Sequence, residues 1–163
     1  MARRTLALGV VILMAGLSLT GCSAIFGLVD AVTRDDTDVV ADGSEVDVFS
    51  IKIGDCLGET TDGTVSTVVS VPCGQEHEGE VFHDFTLPEG DFPGADSIEA
   101  SAYDECESAF LVFVGLSYQE SALDYIYYSP TEESWNEAGD RVISCVIVDP
   151  AGPVTGSLKS ANR

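Results

Sequence analysis

Cysteine is the residue type in this 163-residue chain whose chemistry is easiest to constrain, and the chain contains five of them. Cys22 lies shortly after an apolar run near the start, whereas Cys56, Cys73, Cys106 and Cys145 are spread through the rest of the chain. A thiol can form a disulfide, hold a metal ion or carry a lipid. Because the later four form an even set, they predict two disulfides if the chain is exported to an oxidising compartment.

Three pairings of these four cysteines are possible. We favour Cys56–Cys73 and Cys106–Cys145, which join neighbours along the chain, and each closed loop would stabilise the fold by about 3 to 4 kcal/mol. The alternative is a zinc site that begins with Cys73 and His77. Such sites usually contain a second close pair, C-x2-C or H-x3-H, which this sequence lacks. We therefore predict disulfides and no metal.

His77 is the better candidate for binding of the two histidines in the chain. It lies among acidic residues shortly before Glu80, so His77 and Glu80 could hold a ligand or form a pH-sensitive contact. The alternative is a His77 side chain that is bonded to a nearby carboxylate and serves only the fold. His83 lies between Phe82 and Phe85 and is interpreted as structural.

Trp135 and Arg141 complete the set of candidate ligand-binding residues. Trp135 could stack on a ligand, although a single tryptophan is more often part of a core. Arg141 could bind an acidic group, although an arginine beside Asp140 at the start of a strand usually forms a local salt bridge. Both alternatives stay open at this point.

The sequence contains none of the short motifs that mark common active sites. A nucleophile elbow, a phosphate-binding loop, a dinucleotide-binding loop and a zinc-protease motif are all missing from it. With 28 acidic residues, close pairs of carboxylates are unavoidable and do not indicate a glycosidase. We predict no catalytic residue and no cofactor, and therefore a protein that is not an enzyme.

The start of the chain has the layout of a secretory signal. Arg3 and Arg4 precede an apolar run from Leu6 to Leu19, which as a helix would reach only about 21 Å against a hydrocarbon core of about 30 Å. Leu19 at the end of the run is followed by Thr20, Gly21 and Cys22, and Leu19-Thr20-Gly21-Cys22 resembles the lipobox of bacterial lipoprotein precursors. The resemblance implies removal of residues 1–21 and a fatty acid, such as palmitate, on Cys22. An uncleaved membrane anchor is the alternative.

This interpretation predicts a lipid-anchored protein on the extracytoplasmic face of the cell membrane. The formal net charge is −21, and removal of Arg3 and Arg4 with the signal makes it −23. Nucleic acid and anionic lipid headgroups are poor partners for such a surface because both carry phosphate. The acidity could bind cations or a basic partner, but solubility alone is a sufficient explanation because the acids are spread along the chain.

The pattern of residues predicts one domain of the α+β class behind a flexible linker. Residues 22–45 are interpreted as an acidic tether, residues 46–158 as the domain and residues 159–163 as a tail. A helix over about 97–114 is predicted by an apolar stripe, capped by Asp96 or Ser97 and ended by Gly115. About five strands, over 46–53, 64–71, 80–87, 123–129 and 141–148, predict a disulfide-stabilised antiparallel sheet packed against that helix.

Two local predictions follow from the same patterns. In the strand over 80–87, alternation places Val81, His83, Phe85 and Leu87 on the inner face and Glu80, Asp84 and Thr86 on the wetter face. The segment 130–135 predicts a capped helical turn that ends by Gly139.

Several short motifs taken in order resemble one known family, the septum-formation domain family of actinobacterial envelope proteins. The resemblance covers roughly residues 46–158. It is carried by Gly54-Asp55-Cys56-Leu57, Val71-Pro72-Cys73 with His77, Glu80-Val81-Phe82, Cys106, Pro130-Thr131 with Trp135, Gly139-Asp140-Arg141 with Cys145, and Thr155-Gly156-Ser157-Leu158.

The resemblance implies an extracytoplasmic, disulfide-linked domain with a part in cell division and no cofactor. The first functional hypothesis is a non-enzymatic envelope lipoprotein that contacts a division or wall-assembly protein while Cys22 holds it to the membrane. The second is a lipoprotein that binds a small ligand or a metal through His77 and Glu80. A wall-acting hydrolase is the third and the weakest, because no nucleophile or metal set emerges from the sequence.

Overall fold

The computed structural model describes residues 43–60 and 65–163. The predicted signal peptide, the lipidation site Cys22 and most of the predicted tether lie outside the described residues. Within those ranges no helix is both long enough and apolar enough to cross a membrane.

A six-stranded antiparallel sheet organises the described part of the chain. Its strand order is β1-β3-β2-β5-β7-β6, so β1 and β6 are its two edges, and β4 and β8 form a separate antiparallel pair. The strands are β1 Ser44–Asp47, β2 Cys56–Leu57, β3 Thr67–Val71, β4 Glu76–His77, β5 Gly79–Thr86, β6 Asp124–Tyr128, β7 Val142–Val148 and β8 Val154–Thr155.

Helix α1, Ala95–Val114, packs across one face of the sheet through the predicted stripe. Its buried positions are Ile98, Ala102, Cys106, Phe110 and Val114. The predicted cap at Asp96 or Ser97 is wrong, because the helix begins two residues earlier, after Gly94, which offers no capping side chain. The predicted end at Gly115 is confirmed. Gly115 has a φ of 85°, in the left-handed region that favours glycine, and its N–H bonds to the Leu111 carbonyl at 3.0 Å.

Helix α2, Glu132–Glu137, confirms the predicted capped turn. The Thr131 hydroxyl accepts from the Ser134 N–H, and the Ser134 hydroxyl accepts from the Thr131 N–H, each at 3.0 Å. This reciprocal arrangement satisfies N–H groups that a helix start otherwise leaves unpaired.

The predicted alternation of faces in β5 is wrong at its start, because the strand contains a bulge between Val81 and His83. Val81 lies on the face opposite α1, and Phe82 packs against Phe110 on the helix side. The extra residue restores the predicted side for Phe85, which also contacts the helix-side core. A bulge inserts one extra residue into a strand. Residues before the bulge therefore lie on the opposite face from the one that an unbroken alternation predicts.

The sheet is curled, as the cluster of buried residues on its face away from α1 shows. Val48 and Val68 come from the β1 side of the sheet, yet they share a buried cluster with Tyr128 from the far edge and Val146 from its neighbour. The two ends of the sheet therefore approach each other on the face away from α1.

The structure differs from the strand predictions at two further points. The strand predicted over 46–53 ends at Asp47, where a 3₁₀ turn over Val48–Ser50 begins; the Asp47 carboxylate accepts from the Phe49 N–H at 2.9 Å. The short strands β2, β4 and β8 were not predicted, because two residues are too few to establish a period.

Both predicted disulfides are present. Cys56–Cys73 closes a separation of 17 residues and links β2 to the turn after β3. Cys106–Cys145 closes a separation of 39 residues and links α1 to β7. The α+β class, the antiparallel sheet and the disulfide stabilisation are thus confirmed, with six strands in the main sheet.

Candidate functional site

The open edge of β6 borders a groove with a cavity volume of about 1120 Å³, which we call the edge groove. Residues of β6 line it, together with Val48 and Phe49 from beyond β1, Tyr103 from α1 and the acidic residues of α2. β6 pairs with β7 on one side, and no strand of the described ranges pairs with its other side. The groove thus lies where the curled sheet stays open.

The side chains of β6 divide between the two sides of the sheet. Tyr125 and Tyr127 pack with the core beneath α1, whereas Ile126 and Tyr128 pack with the core on the opposite face. Tyr127 makes an edge-to-face contact with Tyr103, with ring centroids 5.8 Å apart at 78°. The three residues from Tyr125 to Tyr127 are only half-buried, so their side chains are accessible from the groove.

Backbone groups are available along the same edge. The Tyr125 N–H bonds to the Asp124 carboxylate at 2.7 Å, and the Leu123 N–H bonds to the Ser121 hydroxyl at 3.0 Å. These bonds show that odd-numbered N–H groups of this segment point away from β7. Because strand N–H groups alternate in direction, the Tyr127 N–H points the same way, and the described residues supply no side-chain acceptor for it.

The groove is apolar within and acidic at its rim. Three large hydrophobic residues that line it are unusually exposed: Phe49 at 53%, Tyr103 at 51% and Val142 at 40%. The exposed carboxylates of Glu132, Glu133 and Glu137 line it as well. Among the described lining residues none is basic. The local field therefore favours a positively charged occupant.

Asp140 also lines the groove, but its carboxylate has partners of its own. It accepts from the Ser134 hydroxyl and from the Val142 N–H, each at 3.1 Å. Asp140 therefore joins α2 to the start of β7 and holds the acidic rim against the sheet.

The tyrosines near the groove are held in the neutral form. Burial, with smaller contributions from Glu107 and neighbouring groups, raises the pKa of Tyr125 to about 12. Burial likewise raises the pKa of Tyr127, and Glu99 adds to the effect. The pKa of Tyr118 is raised chiefly by its hydrogen bond to Asp124, with an oxygen–oxygen distance of 2.9 Å. The rings of these tyrosines can stack and their hydroxyls can form hydrogen bonds, but the hydroxyls are poor bases at neutral pH.

The structure brings Trp135 and Arg141 together. The Arg141 guanidinium carbon lies 3.7 Å from the centroid of the Trp135 ring, and its Nη1 donates to the carbonyls of Trp135 and Asp140 at 2.8 Å each. Trp135 is only 2% exposed, and its Nε1 donates to the Gly90 carbonyl at 2.9 Å. The pair fastens α2 to the fold beside the groove.

His77 and Glu80 lie elsewhere, next to the C-terminal segment. His77 is fully buried in β4, and its Nδ1 donates to the Gln75 carbonyl at 2.9 Å, whereas Nε2 has no partner among the described residues. The Glu80 carboxylate accepts from the Ser157 hydroxyl at 2.7 Å and from the Leu158 N–H at 2.8 Å. Glu80 thereby ties the end of the chain to β5.

Of the four candidate residues the structure therefore brings only Trp135 and Arg141 into contact, and none of the four lines the edge groove. Within the described part of the chain, no three histidine, cysteine, aspartate or glutamate residues are grouped so that they could hold a metal ion. The sequence interpretation did not include the groove residues. The sequence feature that could have indicated them is the run Asp-Tyr-Ile-Tyr-Tyr over 124–128. It is an aromatic strand with no lysine or proline to protect an edge.

Comparison with known proteins adds a family match. A family model described as "Septum formation" matches residues 33–156, which include every strand of the described structure. No curated protein and no solved structure matches the chain.

Proposed function

The chain belongs to the septum-formation family, and on that premise we propose that it is a non-enzymatic interaction module that works from the outer face of the cell membrane. The family match is the observation that carries the proposal, because it covers most of the chain and supports a role in septum formation. The interaction role and the location are the parts that we add.

The edge groove supports the interaction role. It combines exposed apolar side chains, an open strand edge and a charged rim, three features that are common where one polypeptide binds another. The tyrosines beside it offer aromatic rings and neutral hydroxyl groups for such a contact.

Two features support the location. The two disulfides are typical of proteins that fold outside the cytosol. The resemblance of the segment before Cys22 to a lipobox supplies a means of holding the domain at the membrane. In this proposal a fatty acid on Cys22 anchors the chain, and a division or wall-assembly protein of the envelope is its partner.

Deletion and complementation in the organism of origin test this proposal. Cells without the chain are expected to form fewer or misplaced septa, and the full chain should restore them. The Cys22→Ser variant should leave the membrane fraction, or fail to mature, and should not restore septa. The matched control is Ser23→Ala at the next residue, which leaves the thiol in place and should behave as the natural chain does.

Two results would contradict the proposal. Normal septa in cells that lack the chain would refute the role in division. Release of soluble fragments from cell-wall material by the purified full chain would refute the non-enzymatic role.

A further inference from the structure

We propose that the edge groove binds an extended segment of a partner polypeptide that carries lysine or arginine side chains, and that this segment adds a strand to the open side of β6. The proposal rests on the proposed function and specifies the surface and the chemistry of the partner.

The strand edge is the first argument. Natural edge strands are usually protected by charged side chains, proline, a bulge or a covering element. In β6, whose sequence is Asp-Tyr-Ile-Tyr-Tyr, Asp124 occupies the outward N–H of Tyr125, but the strand has no lysine or proline, and the bulge of this sheet lies in β5. The outward N–H of Tyr127 lies on this edge. An added strand would supply an acceptor for it.

The side chains along the edge give the second argument. Residues of an added strand alternate between the two sides of the sheet. On one side they would meet Tyr127 and Tyr103, whose aromatic faces attract cations as well as apolar groups. On the other side they would meet Ile126 and Phe49, of which Phe49 is 53% exposed.

Charge decides among the possible occupants. Glu132, Glu133 and Glu137 line the groove, and no described lining residue opposes them. A second copy of this chain would bring a net charge of −21 to the same place, and the chain's own segment 30–45 is acidic as well. Anionic lipid and nucleic acid carry the same sign. A basic polypeptide is the occupant whose charge the rim attracts.

Calorimetric titration of the full chain with synthetic peptides tests the proposal. The probe is a capped seven-residue peptide in which lysine alternates with valine. Its controls are the same peptide with glutamate in place of lysine, and the lysine peptide with every second backbone nitrogen methylated. We expect the lysine peptide alone to bind at about 1 mM or below, and hydrogen exchange at the Tyr127 amide to slow when it does.

A matched pair of variants distinguishes binding in the edge groove from attraction to the overall negative charge of the protein. The triple substitution Glu132→Gln, Glu133→Gln and Glu137→Gln should weaken binding of the lysine peptide about ten-fold. The control triple, Glu59→Gln, Glu76→Gln and Glu105→Gln, removes the same charge from exposed positions outside the groove and should have little effect. Circular dichroism of both variants establishes that they fold.

The proposal is overturned if the lysine peptide does not bind, if both triple variants weaken it equally, or if the methylated peptide binds as well as the lysine peptide. The proposal is also overturned if the full chain associates with itself and the triple substitution at Glu132, Glu133 and Glu137, the rim variant, abolishes this association. That result would show that a second copy of the chain occupies the groove. None of these results affects the septum test, whose failure would show as normal division without the chain.

Discussion

At the scale of single residues, Tyr125 shows how the fold controls the chemistry beside the groove. Its ring contacts Phe82, Phe110 and Tyr118, and this burial disfavours the phenolate. The hydroxyl therefore stays protonated far above neutral pH, and in the proposed function it contributes an aromatic surface without taking part in acid–base chemistry.

The titration of Tyr125 is a direct prediction. Because the pKa of Tyr125 is about 12 in the folded protein and about 10 in the unfolded chain, its stabilising contribution is complete below pH of about 10. The free energy of unfolding should then fall as the pH rises from about 10 to about 12. Tyrosinate absorbance measured against pH should show a late rise, to which Tyr118 and Tyr127 also contribute, and Tyr125→Phe should reduce its amplitude by that of one tyrosine. A late rise that keeps its full amplitude in Tyr125→Phe would contradict the assignment.

Arg141 gives a second prediction at this scale, because its planar guanidinium both stacks on Trp135 and donates to two carbonyls. Lysine cannot reproduce this geometry. Arg141→Lys should therefore lower the free energy of unfolding by about 1 to 2 kcal/mol in urea denaturation. The control is Arg163→Lys at the exposed end of the chain, where Arg163 pairs with Asp149 and the change should cost less than about 0.5 kcal/mol. Equal losses in the two variants would contradict this role for Arg141.

At the scale of elements, the two disulfides fasten different parts of the fold. Cys106–Cys145 joins the main helix to β7 within the core, whereas Cys56–Cys73 joins β2 to the turn after β3. Both disulfides lower the conformational entropy of the unfolded chain, and the reduction grows with the length of the closed loop.

The loop lengths give a ranked prediction. Replacing Cys106 and Cys145 with alanine should lower the free energy of unfolding by about 4 kcal/mol, because the disulfide closes 39 residues. Replacing Cys56 and Cys73 with alanine should cost about 3 kcal/mol, because that disulfide closes 17 residues. Urea denaturation of both double variants measures the difference. A larger loss from the shorter loop would contradict the loop-entropy explanation.

The same elements show how much of the fold could be predicted from the sequence. The stripe of α1 repeats over five turns, so its buried face was predicted, as were the four longer strands β3, β5, β6 and β7. The bulge in β5 was not, since the residues around Phe82 are apolar on both sides and do not mark a change of face. Gly79 is a similar case. A side chain there would come within 2.6 Å of Val146 Cγ1, a close approach that only the folded sheet reveals.

The candidate site could be predicted less well, for a physical reason. The edge groove is built from segments around residues 48, 103, 126 and 133, which are brought together by strand order and by the curl of the sheet. Local patterns predict a strand at 124–128, but they do not show that it lies at an edge. Trp135 and Arg141 were candidates by residue type, and the structure places them in the support of α2.

At the scale of the whole molecule, the chain is strongly acidic, and its described residues place the open edge of β6 beside an apolar groove. In our account the lipid on Cys22 brings the domain to the membrane and the groove selects a basic partner that is present where septa form. Location at the septum should therefore depend on the groove, and attachment to the membrane should depend on Cys22.

Imaging of the tagged full chain in dividing cells tests this account most directly. We predict that the natural chain accumulates at the septum. The variant with Glu132→Gln, Glu133→Gln and Glu137→Gln should stay in the membrane but spread evenly around the cell, and the control triple at Glu59, Glu76 and Glu105 should still accumulate. An even distribution of the natural chain, or septal accumulation of the rim variant equal to that of the natural chain, would contradict the account.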